Sequence, residues 1–253
     1  MSRRSLFLVA LWCVAVVRGA PASPADVLIV ADETVIAPLR GNLSDSVATT
    51  RASWTFWSGT LAGKSVVLAR SEGDPLNAVA VTTLAIRQHA PRLIVTAGIA
   101  RAHDPELRSG DLVVSEKFAA IDGMVTEHRE LGEGSDGATW QKLPHALMTP
   151  GETEVYIDSF PADASAAAVA LQLQPRSGRT ISGVLGSAHQ INREADRIAA
   201  LRALWGTSSE DTESAHVAGC AKLFGIPAVG LRVIDSDPSE VTALTLQFLE
   251  AWK

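Results

Sequence analysis

The run Val27–Ala31 has five consecutive apolar residues and no polar side chain. A strand with one wet face alternates, so a run of this kind marks a strand covered on both faces. Further strand-length runs stand at 93–96, 112–115, 179–185 and Ala228–Ile234, and stretches of helical character lie at 33–43, 78–89, 162–173 and 241–252. Strands alternating with helices build a mostly parallel sheet with helices on both faces. The expectation is an α/β chain of one domain over residues 23–253, with three layers α/β/α around a mixed, mostly parallel central sheet. No repeat, low-complexity block or linker calls for a second domain, and 253 residues suffice for one with a sizeable core.

Residues 1–22 stand apart from that domain. Arg3 and Arg4 form a charged start, 6–17 an apolar stretch, and Ala20-Pro21-Ala22 a small-residue cleavage site, the layout of a secretory signal peptide. The apolar stretch is shorter than the ~20 residues that span a bilayer. A secreted or periplasmic protein is expected, with no membrane contact once the signal is removed. Cleavage takes away Arg3, Arg4 and Arg18 and no acid, so the formal charge passes from −6 to −9. A chain that acidic, without a Lys/Arg cluster, is a poor ligand for nucleic acid or anionic lipid. Cys220 is then the only cysteine left, which rules out an intrachain disulfide and suits a small buried hydrophobe.

Two glycine-rich stretches mimic phosphate loops and fail on context. From Gly59 to Ser65 there are three residues between the glycines where the phosphate loop has four, and a strand-like run follows in place of a helix. Strand, turn, strand is the better account, with Trp54 and Phe56 on one face. From Gly132 to Gly137 no strand precedes the glycines, and Glu133 and Asp136 would repel a pyrophosphate; residues 127–146 read as a surface excursion. The six histidines are scattered without ligand spacing, so no metal site is expected.

The stretch 207–237 concentrates the chemistry. Glu210, Asp211 and Glu213 are read as the opening of an Ala-rich helix that stops at Gly225, before Pro227 and the strand Ala228–Ile234. The strand ends at Asp235-Ser236-Asp237, and in open α/β sheets ligands sit beyond the carboxyl ends of the strands. Two carboxylate clusters therefore face one pocket. Acids in a first helical turn also complement the helix dipole. That account suits Glu210, whereas Glu213 is read as a site residue. Asn77 is read as the cap of the helix 78–89.

These segments resemble the nucleoside phosphorylase/nucleosidase superfamily, in particular its 5′-methylthioadenosine/S-adenosylhomocysteine nucleosidase-like branch. Asp211-Thr212-Glu213 stands where the family has Glu-Met-Glu, and Phe224-Gly225-Ile226-Pro227 with Leu231-Arg232-Val233-Ile234-Asp235-Ser236 follows its next strand closely. Residues 28–40 lie without gaps over the family's opening strand and helix. Gly73, Pro75, Asn77 and Ala78 match its ribose or phosphate loop, and His103-Asp104-Pro105 with Gly110-Asp111 match the loop after its third strand.

The resemblance implies hydrolysis or phosphorolysis of the N-ribosidic bond of a purine nucleoside, a small-molecule partner, no metal or organic cofactor, and a homo-oligomer. It places Glu213 on the ribose hydroxyls and an acid after strand Ala228–Ile234 on the purine. The gapless position of that acid is Ser236, with Asp235 and then Asp237 as the neighbours able to serve, their carboxyls raised by burial. Gly98, Ala100, Arg101, His189, Gln190, Ile191, Asp211 and Thr212 fall on the family's substrate-binding positions, with His189 a replacement ring for the base. Several positions depart from the pattern. The water-activating glutamate falls on Val35, to be replaced only by Asp32 or Glu33 from another helical face. Two loop glycines fall on Arg101 and Ala102, and the stacking aromatic falls on Gln190. Glu72 in the phosphate loop favours water over phosphate as acceptor. A protein that binds a nucleoside or other small ligand without cleaving it is the alternative.

Overall fold

The structure is a computed structural model that describes residues 24–149 and 153–253. The signal-peptide reading of 1–22 lies outside the described residues. In chain order the elements are β1 (Val27–Ala31), α1 (Glu33–Gly41), β2 (Ser44–Arg51), β3 (Trp54–Leu61), β4 (Lys64–Arg70), α2 (Pro75–His89), β5 (Leu93–Ala102), β6 (Leu112–Ala120), β7 (Met124–Val125), β8 (Gln141–Lys142), β9 (His145–Thr149), β10 (Thr153–Ile157) and β11 (Phe160–Pro161). There follow α3 (Ala164–Ala170), β12 (Thr180–Ser187), α4 (Ala195–Trp205), β13 (Thr207–Asp211), α5 (Ser214–Phe224), β14 (Ala228–Ile234) and α6 (Pro238–Ala251).

The expected three layers are present around a mixed sheet. All of β1 is buried between parallel β4 and β5. Because successive side chains of a strand point to opposite faces, Val27, Ile29 and Ala31 pack with Val35, Leu39, Ala170, Leu244 and Phe248 of α1, α3 and α6. Leu28 and Val30 pack with Val81, Ala85 and Val217 of α2 and α5 on the other side. Each fully buried Leu, Ile or Val side chain stabilises by about 1.5–3 kcal/mol relative to exposure.

The sheet also closes on itself at one side. β14 runs parallel to β5 and antiparallel to β6, β6 is parallel to β12, β12 to β13, and β13 returns to β5 through Ser209 opposite Ala102 and Glu210 opposite Arg101. β5 and β13 meet only at their carboxyl ends, and that junction brings the chemistry-bearing ends of both strands to one place.

Several local readings are corrected. Residues 207–211 are a strand, and helix α5 starts only at Ser214. Thr207, Ser209 and Glu210 are buried, Thr207 bonded to His103 and Glu210 to Asn192, so this interior strand carries no apolar run. The cap of α2 is Asp74, whose Oδ1 accepts from the amides of Leu76 and Asn77 at 2.9 and 3.0 Å. Pro75 takes the first helical position, where its missing N–H is no loss. The exposed edge strand β2 is mostly polar, with only Val47 and Ala48 apolar, and escapes a search for apolar runs.

The hairpin of β3 and β4 is as expected. Its turn residues Ala62 and Gly63 have φ of 49° and 75°, and Phe56 and Trp54 share one face. Gly59 lies inside β3, where a Cβ would meet Ser44 O at 2.5 Å, so its glycine serves strand packing. Of the surface excursion read over 127–146, residues 127–135 are exposed and Asp136 and Gly137 half-buried, but Trp140 is buried against Val184, Leu201 and Trp205, which corrects the second half of that reading. Cys220 is a buried free thiol whose pKa is pushed up by burial, as suits a packing role.

Candidate active site

A cavity of about 250 Å³ opens where the carboxyl ends of β1, β5, β13 and β14 meet. Its lining includes Asp32, Gly73, Gly98, Ala100, Arg101, Gln190, Ile191, Glu210, Asp211, Thr212, Glu213, Arg232 and Asp235. Sequentially remote segments converge here because parallel β1, β5 and β14 deliver their carboxyl ends to one edge of the sheet, where β13 meets β5 antiparallel.

Arg232 organises the deep end. It is 1% exposed, inside an otherwise apolar strand, and its cost of burial is offset by three side-chain oxygen partners and the Leu231 carbonyl. Nε donates to Asp211 Oδ2 at 2.8 Å, and Nη2 donates to Thr96 Oγ1 at 2.9 Å and reaches Glu213 Oε1 at 3.5 Å. Gly98 makes room for it, since a Cβ there would meet Nη1 at 3.1 Å. The glycine of the β5 loop thus serves an internal cation.

Asp211 is fully engaged. Oδ1 accepts from Ser187 Oγ at 2.7 Å and from the amides of Glu213 and Ser214 at 2.8 Å, and Oδ2 accepts from Ser214 Oγ at 2.6 Å besides Arg232. Burial pushes this carboxyl up, but Arg232 and the hydrogen bonds of Ser214 and Ser187 outweigh it and hold the pKa below the usual value. Asp211 therefore caps α5 from the strand and aims Arg232.

Glu213, two residues on, has the opposite fate. Burial pushes its carboxyl up to about 7; Arg232 opposes this, and the charges of Asp211 and Asp32 raise it further. Its Oε2 is buried without a protein hydrogen bond. A carboxyl with a pKa near neutrality holds or releases a proton at working pH, the property that acid–base chemistry needs.

Glu210 does more than complement a helix dipole. Its oxygens accept from Asn192 N at 2.9 Å and Asn192 Nδ2 at 2.6 Å, and His103 Nε2 lies 3.1 Å from Oε2, off the line of a hydrogen bond. His103 Nδ1 pairs with Thr207 Oγ1 at 2.7 Å. Burial raises this carboxyl, and His103 and Asn192 together bring it below its ordinary value.

A family model described as the phosphorylase superfamily matches residues 26–252. The chain belongs to the phosphorylase superfamily. The 5′-methylthioadenosine/S-adenosylhomocysteine nucleosidase of Marinomonas sp. (strain MWYL1) is 28% identical over 207 residues, 81% of this chain and 82% of its own length. The crystal structure of such a nucleosidase from Colwellia psychrerythraea 34H in complex with adenine matches with a TM-score of 0.74 at 20% identity, over 91% of this chain and 96% of that one. A futalosine hydrolase mutant of Helicobacter pylori strain 26695 matches with a TM-score of 0.67 at 19% identity, over 91% and 98%. At these identities the two structural likenesses establish the fold.

Within this superfamily scaffold, Gly98, Ala100, Arg101, Gln190, Ile191, Asp211, Thr212, Glu213 and Asp235 come together in the cavity, while His189, Ser236 and Asp237 do not line it. His189 is exposed, its Nε2 3.8 Å from Asp74 Oδ2. Asp237 caps α6 by accepting from Ser239 N at 2.7 Å, and that bond holds its exposed carboxyl low, the reverse of the rise expected there. Asp235 is exposed with a left-handed φ of 40°, a conformation that Asp tolerates better than most. Its amide donates to Ala100 O at 3.0 Å, and its carbonyl accepts from Ser109 Oγ at 2.9 Å. The residue with the raised carboxyl is therefore Glu213.

Two site residues were missed by reading along the chain. Arg232 hides in a strand, and its signal is a lone cation in an apolar run. Glu210 was assigned to a helix end that turned out to be a strand. Val35 is buried in the core against the sheet, Glu33 pairs with Arg40 and Arg70, and Asp32 is the carboxylate of that segment that lines the cavity.

Proposed function

We propose that this chain is an N-glycosidase that hydrolyses the N-ribosidic bond of a purine nucleoside. The observation that carries the reading is the pairing of Glu213, its carboxyl raised to about 7, with the buried Arg232–Asp211 pair at the strand ends of this superfamily scaffold. Breaking C1′–N leaves the electron pair on the base and a cationic sugar; water oxygen adds to C1′ and loses a proton to a base of the site or to solvent, and the departing purine takes up a proton from solvent in turn, so that neutral base and sugar are released. Glu213 holds the ribose hydroxyls, and its carboxylate form favours the cation. Asp235 hydrogen-bonds the departing purine. Asp32, whose Oδ1 caps α1 and whose Oδ2 stays uncommitted, takes the water.

Water is favoured over phosphate because the Gly73 loop carries the carboxylate of Glu72, which pairs with Arg70 and would repel a phosphate there. Export through residues 1–22 and assembly as a homo-oligomer belong to the same proposal. Cell fractionation with and without residues 1–22 checks the first, and light scattering the second, which a single-chain mass overturns.

One observation favours a second reading, a receptor that binds without turnover. Val35, at the place of the water-activating glutamate, is wholly buried and offers no carboxylate. Incubation of the purified protein with adenosine, inosine, methylthioadenosine and uridine, with and without phosphate, separates the readings when free base is followed by chromatography. Base release without phosphate supports hydrolysis. Release only with phosphate makes the chain a phosphorylase, and a raised melting temperature without release makes it a receptor.

A further inference from the structure

The mouth of the cavity carries two hydrogen-bond donors with no protein acceptor. Arg101, at the end of β5, lines the cavity, and its side chain makes no hydrogen bond or ion pair with any described residue. Of the carboxylates on this lining, Glu210 is committed to Asn192 and His103 and Asp211 to Arg232, and Asp235 forms no ion pair with Arg101. Gln190, on the same lining, has its Oε1 occupied by Arg197 Nη2 at 3.0 Å. Arg197 is in turn fixed by donating to Asn192 Oδ1 at 2.6 Å and by lying over the Trp140 ring at 5.3 Å. The Gln190 amide is thereby locked with its Nε2 buried and unpartnered.

Purines differ at the edge such donors would read. A 6-oxopurine presents O6 and N7, two adjacent acceptors that match the two-pronged guanidinium. A 6-aminopurine presents an N6–H donor beside N7, which matches a side-chain amide using both its oxygen and its nitrogen. Arg197 takes one lone pair of the Gln190 oxygen, while Gln190 Nε2 and the Arg101 fork both lack an acceptor, so unpaired donors predominate on this lining and match an acceptor edge better than an amino group. Resting on the reading of the cavity as a purine nucleoside site, we infer that Arg101 selects a 6-oxopurine base over a 6-aminopurine by donating to O6 and N7. Asp235, tied by its amide to Ala100 beside Arg101, supplies at the same end an acceptor for the N1–H that an oxopurine carries and adenine lacks.

Calorimetric titration with hypoxanthine and with adenine tests this without requiring turnover, on the wild type, Arg101→Met and Arg101→Lys. The wild type is expected to bind hypoxanthine about tenfold or more tightly than adenine. Arg101→Met should bring the two bases within about twofold by weakening hypoxanthine alone, and Arg101→Lys, a point charge without the fork, should fall between. Equal or tighter binding of adenine by the wild type, or a preference that survives in Arg101→Met, overturns the inference. Adenosine or methylthioadenosine cleaved with no oxopurine preference removes the inference and leaves the nucleosidase reading intact. A wild type that binds neither base and none of the nucleosides removes both.

Discussion

The two ends of the cavity are built on opposite principles. At the deep end, Asp211, Arg232 and Glu213 are buried and bonded to one another, so each group's charge state depends on its neighbours. At the mouth, Arg101 and Asp235 are tied through their backbones, and their side chains await a partner. The contrast teaches that the deep end is part of the fold's stability as well as its chemistry, whereas the mouth is free to vary and to set specificity.

The largest expected effect breaks the deep end. Arg232→Met leaves two buried carboxylates without their cation and should destabilise by about 3–5 kcal/mol in denaturant unfolding; a loss below about 1 kcal/mol would show that Asp211 and Glu213 do not depend on it. Next is Glu213→Gln. A carboxyl raised from its unfolded value to about 7 binds its proton more tightly in the folded state, so its stability contribution falls as pH rises from about 4.5 to 7. The substitution should therefore leave stability near that of the wild type at pH 5 and raise it at pH 8 by up to about 3 kcal/mol, while abolishing base release. A pH-independent change in thermal melting would contradict the assignment. Asp211 and Glu210 run the other way, their stabilisation present above their unfolded pKa values and lost in acid.

Smaller effects sharpen the contrast at the mouth. Asp237→Ala removes a helix cap and should lower the melting temperature by roughly 2–4 °C with turnover intact; Asp235→Asn should do the reverse, sparing the melting temperature and slowing base release. Arg101→Met should shift stability by less than about 0.5 kcal/mol, because no protein group loses a partner. A larger loss would place Arg101 in the scaffold and weaken its role as a reader of the base.

How much was legible follows the same division. The interior strands β1 and β14, the core of α2 and the cavity positions Gly98, Arg101, Asp211, Glu213 and Asp235 could be read along the chain, because burial on both faces writes itself as apolar runs and the motifs lie at fixed offsets from strand ends. Strand β13 could not, because its buried residues are Thr, Ser and Glu, and the partners of Thr207 and Glu210, His103 and Asn192, come from other segments of the chain. The sequence ranks Asp235 ahead of Asp237, and the physical ground for that ranking lies in the structure. Both are acids after β14, and only the left-handed turn at Asp235 and the helix begun by Asp237 send one to the cavity and the other to a cap.

By itself, then, the sequence determined the layered α/β scaffold, since apolar periodicity is a local property of the chain. The protonation of the site was decided by tertiary structure alone. Asp211 and Glu213 stand two residues apart with similar chemistry, yet one is held ionised by Arg232 and Ser214 and the other is pushed to about 7 by burial. A pKa is set by what surrounds a group in space, and for these two that surrounding arrives from β5, β12, β14 and the loop after β1.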